Sequence, residues 1–282
     1  MGGQQTHELD ASIREAQSQL LDGGFGAPEV LLLLATGASD IEPLLENTQK
    51  LSFGEIQGAP KAWSATSLSS GKLGETRVWL CEDTPQNDPA PWARSWPIWL
   101  ARQCGAGRAL LSIGASPLPA AAPACQPEGF LLVEDHLMLE GSTPLLSLSS
   151  SNLGPLFPDQ GGVHDKAARD ELLTRAKASG LPCEKGVMAC IPGPALETPA
   201  EQRYHALAGA HASAQNLGSL YHAMAHSGLS SLTIAALLGK GDAAMEDLIA
   251  SAQRLAPGLA ELIPTAVEIL AHNGRQDAKE QL

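Results

Sequence analysis

Basic side chains are scarce in this chain. Across 282 residues, 18 Lys and Arg face 31 Asp and Glu, a formal net charge of −13. Nucleic-acid and anionic-membrane surfaces both need basic patches, so the sequence implies no nucleic-acid partner and no membrane partner. Charge of either sign is sparse too, since 17% charged residues is on the low side for a globular protein. No cysteine pair has C-x-x-C spacing: Cys81, Cys104, Cys125, Cys183 and Cys190 form an odd, scattered set. Nor does the polar start MGGQQTHELD have the pattern of a secretory signal. Together these absences lead us to expect a cytoplasmic protein with free, mostly buried thiols. The longest apolar run, VLLLLATGA, is far too short to span a bilayer.

What is present is an alternation of strand and helix patterns. DASIREAQSQLLDGG has helical spacing with an acid at its start and a glycine stop. PEVLLLLATG reads as a strand buried on both faces, as in parallel sheets. SDIEPLLENTQ reads as a short helix, TRVWLCE as a strand, WARSWPIWLARQCGAG as a helix and RALLSIGA as a strand. GFLLVEDHLML is a further strand, and DKAARDELLTRAKASG a strong helix. The rhythm continues with strand GVMACI, helices PAEQRYHALAGA and LGSLYHAMAHSG, and strand LSSLTIAALLG. Two terminal helices, DAAMEDLIASAQRLA and LAELIPTAVEILAH, follow. No repeat or linker interrupts the pattern. It implies a single α/β domain over residues 10–272, between a flexible N-terminus (1–9) and a polar tail (273–282) expected to fray. The expected architecture is a mixed, mostly parallel central β-sheet flanked by helices on both faces. Ligands in such folds sit beyond the carboxyl ends of the strands.

The stretch IPGPALETPAEQRYHALAGA, residues 191–210, lies at such a strand-to-helix junction. Thr198 suits an N-cap, Pro199 the first turn and Glu201 the acid of a capping box. Glu197 has no such structural reason. It is either a carboxylate that accepts hydrogen bonds from a ligand's N–H groups or a solvated loop acid.

GVMACIPGPALETPAEQRYHALAGAHA resembles the signature region of the trimeric, 6-oxopurine type of purine nucleoside phosphorylase. That family shows a strand, then G-P-x-x-E-T-x-A-E, then a helix ending at L-G-A. PEVLLLLATG resembles its first strand and phosphate loop, LSFGEIQGAP its next segment, EGFLLVEDHLML its G-D-L-x-x-x-x-D-H-I-N strand and LGPLFPD its R-F-P segment. The likeness runs from about residue 10 to residue 272, a phosphorylase-like domain. It implies phosphorolysis of a purine nucleoside with phosphate as co-substrate and no cofactor. It further implies a homotrimer, with Glu197 holding the purine through a ring N–H.

The same comparison exposes departures. In the phosphate loop Thr36 keeps a hydroxyl, but Ala35 stands where the family has glycine. The Gly-Arg-Phe-His motif that supplies an arginine and a histidine to phosphate is replaced by CEDTPQNDPAPW, which offers Glu82, Asp83 and Asp88. Acids there repel phosphate. The Asn-Ala-Ala-Gly-Gly loop becomes IGASPL, leaving Gly114 and Ala115. Gln215 and Asn216 occupy the ribose-packing Met and phosphate-binding Ser positions. Gly239 stands for the purine-contacting Asn, and Met188 for the base-packing Tyr. Lys72 and Arg77 are the nearest replacement cations in sequence.

Other groupings carry less. His222 and His226 are four apart on a helix, but no acid lies between them and no third ligand is evident, so no metal is assigned. For His136, in VEDHLML, a strand-end hydrogen bond is favoured over catalysis. Trp92, Trp96 and Trp99 form one helical face, either core or subunit contact. SLSSSNLGP reads as a flexible loop. The expectation is a divergent purine nucleoside phosphorylase homologue, a pseudoenzyme acting through a purine-like ligand or as a partner subunit, homo-oligomeric or joined to an active homologue. The alternative is an active phosphorylase with an altered substrate shell.

Overall fold

The computed structural model describes residues 7–35, 41–82, 90–119, 128–239 and 244–280, with side chains through residue 277. Among these, nine strands share one sheet: β1 Val30–Leu34, β2 Glu46–Ser52, β3 Ser67–Leu73, β4 Thr76–Glu82, β5 Arg108–Pro117, β6 Phe130–Met138, β7 Cys183–Ile191, β8 Ala212–Gln215 and β9 Ser230–Leu237. Six helices cover it: α1 Glu8–Asp22, α2 Trp96–Gln103, α3 Lys166–Ala178, α4 Pro199–Leu207, α5 Gly218–Ser227 and α6 Met245–Glu280. The strand order is β2-β3-β4-β1-β5-β8-β7-β6-β9, and β5 also pairs with β9. That extra pairing closes β5, β8, β7, β6 and β9 into a ring, from which β1 to β4 extend as an open wing. Five of the nine pairings are parallel, so the sheet is mixed with a parallel majority.

Period-two alternation divides β1 between two cores. Leu31 and Leu33 pack with α1, α2 and α5, whereas Val30, Leu32 and Leu34 pack with α3 and α6. An all-leucine strand is the expected result of burial on both faces. The three tryptophans are core: Trp96 and Trp99 on α2 and Trp92 just before it are buried. Their polar edges find acceptors, as buried indoles require. Trp96 Nε1 donates to Ser12 Oγ at 2.7 Å, and Trp99 Nε1 to His226 Nδ1 at 3.0 Å. Phe53 and Trp63 complete the cluster.

Several expectations change. Residues 41–49 do not form an α-helix but a single 3-10 turn at Glu42–Leu44, followed by β2. β2 is a polar outer strand with five consecutive exposed residues, so no apolar alternation marks it. β3 and β8, SLSSGKL and ASAQ, escape detection for a related reason, because small residues fill the crowded sheet there. The two terminal helices are one: α6 runs for 36 residues through Pro257 and Pro264. Each proline removes one backbone bond. Leu255, Leu259, Leu262, Ile263, Val267 and Leu270, all buried by the sheet, keep the helix continuous. It also continues past residue 272, where Arg275 pairs with Glu29 at 2.7 Å and Asp277 with Arg108. At the other end α1 begins at Glu8, inside the segment expected to be flexible. Finally, SLSSSNLGP is pinned. Asp10 accepts from Ser151 Oγ at 2.6 Å and from the Asn152 amide at 2.9 Å. At Gly154 a Cβ would lie 1.8 Å from the His226 carbonyl oxygen, so only glycine fits.

His226 is 2% exposed, and burial holds its pKa below the ordinary 6.5, against an opposing pull from Asp10. Its Nδ1 accepts the Trp99 proton only while that nitrogen is unprotonated. The unfolded chain takes up a proton near pH 6.5 that the folded chain resists. This contribution is therefore complete above that pH and is lost as pH falls below it. Urea denaturation between about pH 8 and pH 5 should show the decline, and His226→Asn should flatten part of it.

Candidate functional site

The site is built where β5, β7, β8 and β9 end. Gly114 and Ala115 of β5 are register partners of Ala236 and Leu237 of β9, and the Leu238 amide donates to the Ala115 carbonyl at 2.8 Å. A Cβ on Gly114 would lie 2.7 Å from Leu238 Cδ1, so glycine is what lets that leucine cross the end of β5. Gly239 follows with φ 59°, a left-handed turn that glycine adopts without strain. Its amide donates to Ser251 Oγ at 3.2 Å. Thr36 lies outside the described residues.

At the end of β7 the chain turns through Pro192–Leu196. Asn216 accepts from the Gly193 amide through Oδ1 at 3.0 Å, and Gln215 Nε2 donates to the Ala195 carbonyl at 2.9 Å. Asn216 and Gln215 therefore hold the turn that carries Glu197. Met188 is completely buried and acts as packing between β6 and β8.

The local helix start behaves as its sequence indicates. Thr198 caps α4 and forms a reciprocal capping box with Glu201, whose carboxylate accepts from the Thr198 amide at 2.7 Å. Glu197 is neither a solvated loop acid nor an open hook. Its side chain is 6% exposed, and both oxygens are engaged, one with His205 Nδ1 and the other with Ser213 Oγ. A carboxylate oxygen accepts, so the imidazole N–H and the hydroxyl donate. Ser213 is the register partner of Ser116, two residues beyond Gly114. The network thus joins α4, β8 and β5 at one point. Glu197, Asn216, Gly114, Ala115 and Gly239 cluster around these strand ends, and Met188 lies beneath them. His205 and Ser213 escaped the sequence reading.

The end of β4 is acidic. Glu82 ends β4 and is the register partner of Leu34, one residue before Ala35 and the phosphate-loop sequence. A cleft of ≈ 220 Å³ opens beside it, lined by Glu42, Lys50, Thr66, Ser67, Ser69 and Glu82 among others. Lys50, which sequence reasoning missed, is tied to both oxygens of Glu42 at 2.7 and 2.9 Å. The Lys50 bond, aided by Ser69 Oγ at 2.6 Å, lowers the Glu42 pKa. Arg77 and Lys72 are register partners at the opposite end of β3 and β4. Five residues of extended strand separate Arg77 from Glu82, about 16 Å.

His222 and His226 do not converge: Nδ1 of the first meets Thr143 Oγ1 at 2.9 Å, and that of the second meets Trp99. His136 faces His164 rather than a strand end.

This arrangement of strands and helices defines a nucleoside-phosphorylase type of domain, and comparison with known proteins agrees. The model of the phosphorylase superfamily matches residues 29–268, and the chain belongs to that superfamily. Purine nucleoside phosphorylase 1 of Geobacillus stearothermophilus is 25% identical over 182 residues, 63% of this chain and 65% of that protein. Purine nucleoside phosphorylase 1 of Bacillus subtilis (strain 168) is 34% identical over 74 residues, 26% and 27% of the two chains. The matched segments thus span about two thirds or less of these relatives. In structure, isoform 2 of the Schistosoma mansoni purine nucleoside phosphorylase, solved with cytosine and ribose-1-phosphate, superposes with TM-score 0.85 at 17% identity, covering 91% of this chain and 95% of that one. The Schistosoma mansoni enzyme with adenosine gives 0.83 at 17% identity, covering 92% and 96%. At that identity the likeness establishes the fold. No helix among the described residues is long and apolar enough to cross a membrane.

Removing the Glu197 side chain strands two buried donors. Glu197→Ala should therefore lower stability by about 1–3 kcal/mol, the cost of leaving buried polar groups unpaired. Thr198→Ala should cost about 1 kcal/mol through the lost cap. Denaturant titration of both variants is the check; an unaltered midpoint for Glu197→Ala would show that its carboxylate is not held as described.

Proposed function

We propose that this member of the superfamily works by binding rather than by phosphorolysis, with a purine-like base or nucleoside, or a partner subunit, as its ligand. The observation that carries the reading is the position of Glu82 beside the entry to the phosphate-loop sequence, with Arg77 and Lys72 at the opposite end of β3 and β4. Phosphorolysis requires a phosphate dianion held beneath the sugar and stabilisation of charge on the leaving base. A carboxylate at the anion position opposes the first requirement directly. Base recognition falls to Glu197, supported by Thr36, Gly114, Ala115, Met188, Asn216 and Gly239. Each engaged carboxylate oxygen keeps a second lone pair for a purine N–H. No cofactor is needed.

The competing reading, an active enzyme with an altered shell, rests on Lys50 in the cleft that Glu82 lines. To serve phosphate, Lys50 would have to leave Glu42. Purified protein is expected to cleave inosine and guanosine with phosphate negligibly, because losing one transition-state contact of this kind commonly costs ~100-fold or more. A purine base or nucleoside should still raise the melting temperature, since a ligand of the folded state stabilises it by mass action. Robust turnover abolished by Lys50→Ala would establish the competing reading instead.

Assembly belongs to the same proposal: a homotrimer or smaller homo-oligomer, or a mixed oligomer with an active homologue. Because the tryptophan face is core, the subunit contact falls to other apolar residues. Leu196, Tyr204 and Leu207 around α4 are 59%, 63% and 88% exposed, and Phe157 is 88% exposed. Light scattering at tens of micromolar should report more than one chain per particle, and Leu207→Glu should shift the particle toward monomer. A wild-type monomer would remove this part of the proposal.

A further inference from the structure

We propose that Asp135, His136 and His164 bind one divalent transition-metal ion of the zinc and cobalt class. His136 Nδ1 lies 3.0 Å from His164 Nε2, and with an Asp135 carboxylate oxygen the three candidate ligand atoms all fall within 4.8 Å of one another. Two imidazole nitrogens on a tetrahedral zinc at roughly 2.0–2.1 Å stand about 3.3 Å apart. The two rings are therefore already near the required spacing, and only the carboxylate has to swing inward.

The fold holds the rings there for reasons unconnected with the strand-end site. β6 pairs with β9 only over Phe130–Leu132, and an irregularity between Val133 and Asp135 then redirects it. His164 enters the space left between the two strands through a bridge to Ser231. The Ser231 amide donates to the Val163 carbonyl at 2.7 Å, and the Asp165 amide to the Ser231 carbonyl at 2.8 Å, so the backbone is fixed on both sides of the histidine. Tyr221 packs against both imidazoles with ring centroids 4.7 Å away, and its hydroxyl is anchored on Thr233 at 3.0 Å.

The chemistry suits a borderline metal ion. Both rings are partly buried and turn a ring nitrogen toward each other, and an imidazole lone pair is the ligand such an ion takes. Nδ1 of His164 is buried without a partner, which leaves Nε2 as the nitrogen through which this ring meets a ligand. Asp135 is exposed; one carboxylate oxygen accepts from the His136 amide at 2.8 Å. The ion is thus reached from solvent, and water completes its shell. Its charge is balanced by Asp135 against the opposing field of Arg169 at His164. Two imidazoles and one carboxylate form an N₂O donor set that favours zinc, cobalt or nickel over magnesium or calcium. Sequence spacing concealed the group, since His164 lies 28 residues beyond His136.

The test titrates chelator-treated full-length protein with Co²⁺ and follows visible ligand-field absorption. One ion per chain is expected, displaceable by Zn²⁺, with a rise in melting temperature. His164→Gln should abolish the bands. Asp135→Asn, an exposed substitution, should weaken binding by about tenfold or more without altering the apo-protein melt. Absence of saturable binding, or unchanged bands in His164→Gln, overturns the site. If His164→Gln does not fold, Asp135→Asn decides alone, and unaltered affinity in that variant overturns it.

Discussion

β5 is the strand on which everything else is hung. Arg108–Ser112 pair with β1 on one edge while Arg108–Ala115 pair with β9 on the other, and β8 takes up the strand's last two residues in the opposite direction. Its faces are as fully used as its edges: Ala109 and Leu111 enter one core and Leu110 the other. A strand with no free edge and no free face has one place left for function, its carboxyl end. Buried backbone groups there must either pair or meet a ligand. Gly114 and Ala115 sit at that end, and the segments carrying Gly239, Ser213 and Glu197 are drawn toward it by the closure of the ring.

Charge decides what that end can do. The superfamily fold brings an acidic strand terminus, Glu82, next to the loop where an anion would be cradled. The sheet puts Arg77 five residues away on the same strand, and a strand is too stiff to bring it back. In the cleft between, Lys50 is neutralised by Glu42. The phosphorylase architecture is retained at TM-score 0.85, and within it the end of β4 beside β1 carries an acid.

At the end of β7, Glu197 is held as firmly by tertiary contacts as by its sequence motif. Its placement one residue before the α4 cap is preserved by Thr198 and Glu201, which do the structural work of the motif. Its oxygens, however, are satisfied within the chain by His205 and Ser213. A buried carboxylate must have such partners, because an unpaired one is costly. The residue that resemblance assigns to a ligand is thus also a tie between α4, β8 and β5.

Local chemistry was written plainly in the sequence. The leucine run of β1, the cap of α4 and the periodicity of α1 and α3 were all legible, because each depends on contacts a few residues apart. The family was legible for the same reason, as its signature is one continuous stretch. Edge strand β2 and the small-residue strands β3 and β8 were not, since what makes them strands is the neighbour they pair with. The two terminal helices read from the sequence are one, because burial along the sheet carries α6 through its prolines. Only the tertiary structure decided that the tryptophans are core, that Glu197 is already partnered and that Arg77 lies at the wrong end of its strand. It alone brought His136 to His164. Each of these is a contact between residues far apart in the chain, and no local pattern encodes the distance between them.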